Sequence, residues 1–169
     1  MFVRNPLPIR RPALIALAAA LILTIAGATR LAAPARAEPL PLADLAEQPV
    51  QLCGPSATFS GTIVHAESLP ALGDAQPKGV WVVVVVDVVN DGPDRSWLFE
   101  SAMLMDEAGT AVRNDTISSV PAAAAAARFR VKSQETHISP GDAARVALVF
   151  DVSTTATAFE LLPILDYCP

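Results

Sequence analysis

The stretch Gly79-Val80-Trp81-Val82-Val83-Val84-Val85-Val86-Asp87-Val88-Val89-Asn90-Asp91-Gly92 holds eight valines and closes on Asn-Asp-Gly. Branching at Cβ restricts χ1 and favours an extended, pleated backbone, whereas Asn, Asp and Gly leave the β region cheaply. The pattern predicts a central strand. Side chains alternate, so Val80, Val82, Val84, Val86 and Val88 form one wholly apolar face, and Trp81, Val83, Val85, Asp87 and Val89 form a second. The first face is the expected core. Burying its five valines contributes roughly 8–15 kcal/mol, at about 1.5–3 kcal/mol each. The second face is too apolar to meet water across a sheet. It needs a cover, either the alanine run at 122–127 or a second copy docking on Trp81, Val83 and Val85.

Outward from this strand the chain reads as short strands and turns. Residues 49–53 and 58–67 (TFSGTIVHAE) have strand content, and 68–78, with two prolines and a glycine, form a loop. Residues 96–100 and 102–105 read as one bent strand or two short ones, followed by a hairpin turn at 106–109 into 110–113. Pro121 and the alanines 122–127 suit a short helix with proline in its first turn, or a low-complexity loop. Residues 128–132 alternate as a strand would, Ser139-Pro140-Gly141-Asp142 has type II turn residues, and strands follow at 144–152 and 158–165. Seven or eight short strands with almost no helix indicate an all-β, immunoglobulin-like antiparallel β-sandwich over 49–169, preceded by an extended spacer at 38–48.

The N-terminus has a different character. Arg4, Arg10 and Arg11 precede an uncharged run at 13–29 (ALIALAAALILTIAGAT), and small residues recur at A-x-A spacing. This is the grammar of a bacterial export signal over residues 1–37, with cleavage after Ala28 or after Ala37. Left uncleaved, the run reaches the low end of a membrane anchor. Either way the basic flank keeps the N-terminus inside and the body is extracytoplasmic, secreted or periplasmic. The chain has 12 basic and 17 acidic residues. Five arginines and no acid lie before residue 38, so the remainder keeps seven basic residues and a net charge of −10. Such a surface repels nucleic acid and anionic lipid. Cys53 and Cys168 are the only cysteines, and in an oxidising compartment the pair reads as a disulfide.

Three segments in order carry a family resemblance. They are Val82 to Gly92 with its Asn-Asp-Gly end, Leu104-Met-Asp-Glu-Ala-Gly109, and Ile138-Ser-Pro-Gly-Asp142 followed by Val146-Ala-Leu-Val-Phe-Asp-Val152 and Phe159-Glu-Leu161. Together they resemble the DUF4352 family, secreted or lipid-anchored bacterial domains of immunoglobulin-like fold, related in architecture to a secreted mycobacterial antigen. The resemblance covers roughly residues 58–163. It implies an extracytoplasmic binding or structural role and supplies no catalytic residues.

The chemistry-bearing residues are few. His65 and His137 are the only histidines, and neither stands in a nucleophile motif. Asp87, Asp106, Asp142 and Asp151 fall in strands or turns. Arg128, Arg130 and Lys132 would line one strand face about 7 Å apart, a place for an anionic ligand or acidic partner on an otherwise acidic protein. Met103 and Met105 share a strand face, and with His65 or His137 they would make a soft ligand set suited to Cu(I). Asn114-Asp115-Thr116 matches a glycosylation sequon, which a bacterial chain leaves unmodified. The reading that results is a non-enzymatic, exported binding module without a cofactor, engaging an envelope partner. A copper chaperone is the alternative.

Overall fold

The computed structural model describes residues 40–98, 101–114 and 119–168. The expected leader at 1–37 and its cleavage positions lie outside the described residues, as do Phe99 and Glu100. Two sheets stack. One has the order β2 (Pro49–Gly54), β3 (Ala57–Leu69), β4 (Val80–Asn90), β8 (Ala143–Val152), β7 (Lys132–Ser133); the other has β1 (Leu40–Pro41), β9 (Ala158–Pro163), β5 (Ala102–Asp106), β6 (Ala111–Arg113). Every ladder is antiparallel except the two-residue pairing of β7 with β8. The architecture is the expected sandwich, with its own strand order: β2, β3 and β4 form a meander within one sheet before the chain crosses to the other. Sandwiches share the two-layer body without sharing connectivity.

The valine strand β4 sits in the middle of the five-stranded sheet. Val82, Val84, Val86 and Val88 point between the layers and pack with Phe59, Ile63, Leu148 and Phe150 of their own sheet and Leu104 and Phe159 of the facing one. Val80, at the strand's start, is only half-buried at the margin of this core. The opposite face is covered by the helix α1 (Ser119–Phe129): Trp81, Val83 and Val85 are buried with Leu69, Leu72, Val149 and Ala125. Trp81 is 6% exposed, and its Nε1 donates to the Ala75 carbonyl at 3.3 Å. The face considered for self-association is therefore closed by the chain's own helix. Alanines suit this task because a side chain of one methyl lets the helix backbone approach the valines closely.

The alternation at 128–132 does not make a strand. The helix continues through Arg128 to Phe129, and Arg130 turns into the left-handed region at φ 56°. Val131 N–H donates to Ala126 O at 2.9 Å and Arg130 N–H to Ala127 O at 3.3 Å, the paired bonds of a Schellman closure. A left-handed non-glycine residue costs about 1 kcal/mol, which these two bonds and the inward packing of Phe129 and Val131 offset. Helix hydrogen bonding outweighs a five-residue alternation that has no neighbouring strand until Lys132.

Two further expectations change. Residues 38–48 are not a spacer from Leu40 onward: Leu40 and Pro41 pair with Phe159 and Ala158, and Leu45 is buried in the core. No strand forms at 96–98, because this segment carries the chain from one sheet to the other. Ser96 makes an isolated bridge with Ile138, and Leu98 N–H donates to Gln134 O. The turns at 106–109 and 139–142 are as expected, with Gly109 at φ 82° and Gly141 at φ 74°, and Asp142 N–H donating to Ser139 O at 3.0 Å.

Cys53 of β2 and Cys168, just after β9, form a disulfide with Cα atoms 4.9 Å apart. It ties the chain's end, emerging from one sheet, to an edge strand of the other. A disulfide is compatible with an oxidising extracellular environment. Among the described residues no helix is long and apolar enough to cross a membrane.

Candidate functional site

A single extra residue in β3 decides what the outer surface of the five-stranded sheet presents. The register with β4 shifts between Ile63 and His65, leaving Val64 as a bulge. Phe59 and Ile63 face the core before the bulge and Ala66 faces it afterwards, so His65 and Glu67 turn outward toward α1. Without that residue both would fall on the core side. Arg128 donates from Nε to Glu67 Oε1 at 3.0 Å, with Nη2 also 3.0 Å from that oxygen. His65 Nε2 lies 3.5 Å from Glu67 Oε2, its ring is 5.5 Å from Phe129, and the Arg128 guanidinium sits 5.7 Å from the Phe129 centroid. These contacts hold the C-terminal end of the helix on β3. An exposed ion pair of this kind contributes less than about 1 kcal/mol.

The three expected cations are thus not a row. Arg128 belongs to the helix and is engaged by Glu67, Arg130 closes the helix, and Lys132 lies in β7 beside Val146 of β8. The methionines and histidines are not brought together either. Leu104 packs into the core, so Met103 and Met105 point outward from the four-stranded sheet, while His65 is on the outer surface of the other. His137 packs at a tilt of 59° against Trp97, ring centroids 4.6 Å apart, next to the Ser96–Ile138 bridge. The sandwich core separates the Met pair from His65. Among the described residues no group of three or more His, Cys, Asp and Glu side chains is placed to hold a metal ion.

Beyond the end of α1 the same outer surface is open. Ser60 and Thr62 of β3, Asp87 and Val89 of β4, and Ala143 and Arg145 of β8 line a shallow groove of about 650 Å³. Asp87 and Arg145 are opposite each other in the ladder and form a bidentate pair, Nε to Oδ1 and Nη2 to Oδ2, both 2.6 Å. The Arg145 hydrogen bond, helped by its charge, holds the Asp87 carboxyl below the usual range, and Asp87 raises Arg145 in turn. Val89, 37% exposed, lies one row further along. The groove therefore presents hydroxyls, one locked ion pair and an apolar patch on a rigid floor.

Three other acids hold backbone. Asp151 accepts the N–H groups of Lys78 and Gly79 at 2.9 and 3.0 Å, and Asp106 accepts Thr110 N–H at 2.7 Å. Glu107 accepts from Thr157 N–H, Thr157 Oγ1 and Ala158 N–H at 2.9–3.1 Å. Its pKa falls to about 2 because its own backbone N–H, then that of Ala158 and the Thr157 hydroxyl, bond the ionised form. Sequence reasoning missed Glu107, Arg145 and the hub made by Asn90. That buried amide donates to Asp94 O and Ile138 O at 2.8 and 2.9 Å and accepts Gly92 N–H at 2.9 Å. The Asn-x-Gly spacing carries a signal for the last bond alone. Asn114 of the sequon is also buried, donating to Leu98 O and accepting Ala102 N–H, so its amide is committed to the fold. No protein-family model, curated protein or solved structure matches this chain.

Proposed function

We propose that this is an exported, non-enzymatic binding module of the bacterial envelope, of the kind its resemblance to the DUF4352 family implies, and that it recognises its partner through the groove beside α1. The observation that carries the reading is the character of that groove: broad, shallow, built on strands and centred on the Asp87–Arg145 pair. Strand-built floors do not reorganise on contact, and an open surface suits a macromolecular partner more than a small molecule enclosed on all sides. The carboxylates whose pKa values move, Asp87 and Glu107, both move downward. A general acid at neutral pH needs the opposite shift. Export is supported by the basic, apolar and small-residue segments of residues 1–37 and by the disulfide.

The test compares the chain with a Ser60→Trp variant, whose indole would fill the groove from an exposed position. Both are cross-linked to intact envelopes and the adducts resolved by mass. A partner captured by the parent and lost in the variant supports the reading. Equal capture by both removes the groove as the site, and recovery of the protein from the cytosol with free thiols removes the module's location.

A further inference from the structure

We propose that the groove beside α1, on the reading that it is the binding surface, takes a neutral, hydroxyl-rich glycan strand, with the Asp87–Arg145 pair bonding adjacent hydroxyls of one sugar. The outward side chains of the five-stranded sheet form two rows here. Register sets Gln51, Ser60, Val89 and Ala143 side by side in one, and Thr62, Asp87 and Arg145 in the next. Four strands, spaced about 4.8 Å apart, make the first row about 14 Å long, room for several pyranose rings end to end. Asp87 is half-buried, and the other members of the two rows are exposed. The Ser60 and Thr62 hydroxyls and the Gln51 amide make no hydrogen bond to another described residue.

The class of the occupant follows from what the surface offers and what it lacks. Arg145 uses only its Nε–H and one Nη2–H on Asp87, and each Asp87 oxygen takes one of those bonds, so unused donors and acceptors lie side by side. A hydroxyl both donates and accepts. Two neighbouring hydroxyls of a sugar therefore fit this edge, one donating to the carboxylate and the other accepting from the guanidinium. Ser60, Thr62 and Gln51 extend the same mixed chemistry, and Val89 with Ala143 supports the apolar C–H face of a ring. The pair is neutral as a unit, so the groove holds no uncompensated charge for a charged peptide side chain or terminus, and the net charge of −10 on the body repels an acidic polysaccharide. A sheet face also offers an extended peptide no backbone groups, because its N–H and C=O lie in the sheet plane and are used by the ladders. An amphipathic helix requires an apolar stripe, which Val89 and Ala143 alone do not make. None of the lining residues is an aromatic ring on which a sugar could stack, so binding is weak, with Kd on the order of 1 mM.

The test follows the amide chemical shifts of the isotope-labelled full chain as chitotetraose or maltotetraose, a β-linked and an α-linked neutral tetrasaccharide, is added to about 10 mM, which brackets that affinity. At least one of them is expected to move the amides of Ser60, Thr62, Asp87 and Val89, with half-saturation at about 1 mM. Thr62→Val keeps the shape and removes the hydroxyl, and should raise Kd about threefold. Asp87→Leu with Arg145→Met removes both charges together, so neither is left alone, and should raise Kd about tenfold or more. Unchanged shifts at the core residues Val84 and Val86 show that this variant still folds. Tetragalacturonate, which is acidic, and a short end-capped peptide of Ser, Thr and Gly should leave the groove amides in place. The proposal is overturned when neither neutral tetrasaccharide moves those amides, when both variants bind with the parent Kd, or when tetragalacturonate or the peptide binds as tightly. A silent titration while Ser60→Trp still loses its cross-linked envelope partner refutes the glycan and leaves the groove, whereas equal capture by parent and variant removes the groove itself.

Discussion

The two outer faces of the sandwich start from similar strands and end in different states. On the five-stranded sheet, the N-terminal half of the face, at Trp81, Val83 and Val85, is sealed by α1, and the remainder at Asp87 and Val89 stays open as a groove. On the four-stranded sheet, Met103, Leu162 and Arg113 face outward without a helix among the described elements packed on them. The lesson is that an apolar outward face demands a cover in proportion to its hydrophobicity. Three contiguous bulky residues flanked by Leu69 and Leu72 lie under a helix, while Met103 and Leu162 of the other layer are half-buried.

Breaking the tie between the layers should have the largest effect. Reducing Cys53–Cys168, which spans 115 residues, should lower stability by about 4–5 kcal/mol, read as a fall in the urea midpoint. An unchanged midpoint would mean that the layers hold without it. Next is the covered face: Trp81→Ala empties a buried site under α1 and should cost about 3–5 kcal/mol. Leu162→Ala, at a half-buried place on the other face, should cost about 1 kcal/mol. Equal losses from the two would erase the contrast between the faces. The helix is held mostly by its alanines, so Arg128→Ala, which removes an exposed pair with Glu67, should cost less than about 1 kcal/mol, and amide exchange in α1 should stay close to that of the parent. A fully unprotected helix would show that the latch, not the packing, holds it.

The smallest effect is a dependence on acid. Glu107 links the β5–β6 hairpin to the start of β9, and its pKa is lowered from 4.5 to about 2. A carboxyl depressed by folding stabilises the native state above its unfolded value and loses that contribution as pH falls through its folded value. The contribution should therefore be complete above pH 4.5 and fade toward pH 2. Glu107→Gln should flatten that part of the denaturation midpoint plotted against pH, and a profile superimposable on the parent's would remove the assignment. Asp87, lowered by Arg145, acts in the same direction on the other layer.

Much of the fold was legible in particular residues. Eight valines in alternation named the central strand and its core face, and Pro140-Gly141 and Asp106 to Gly109 named two turns that form as expected. The cysteine pair was readable because only one pairing exists. What misled was short-range pattern without its neighbours. Residues 128–132 alternate, yet the helix preceding them supplies hydrogen bonds that a lone strand lacks. The Met and His residues suit one metal by type, yet they are distributed over opposite surfaces.

By itself the sequence determined the class of the body, two layers of β-branched strands, because alternation of apolar side chains is a property of each segment alone. The layer to which each strand belongs, the bulge at Val64 that turns His65 and Glu67 outward, the facing of Asp87 with Arg145 and the covering of Trp81 by α1 were decided only by the tertiary structure. These depend on register and on contacts between residues dozens of positions apart, and no local periodicity encodes either.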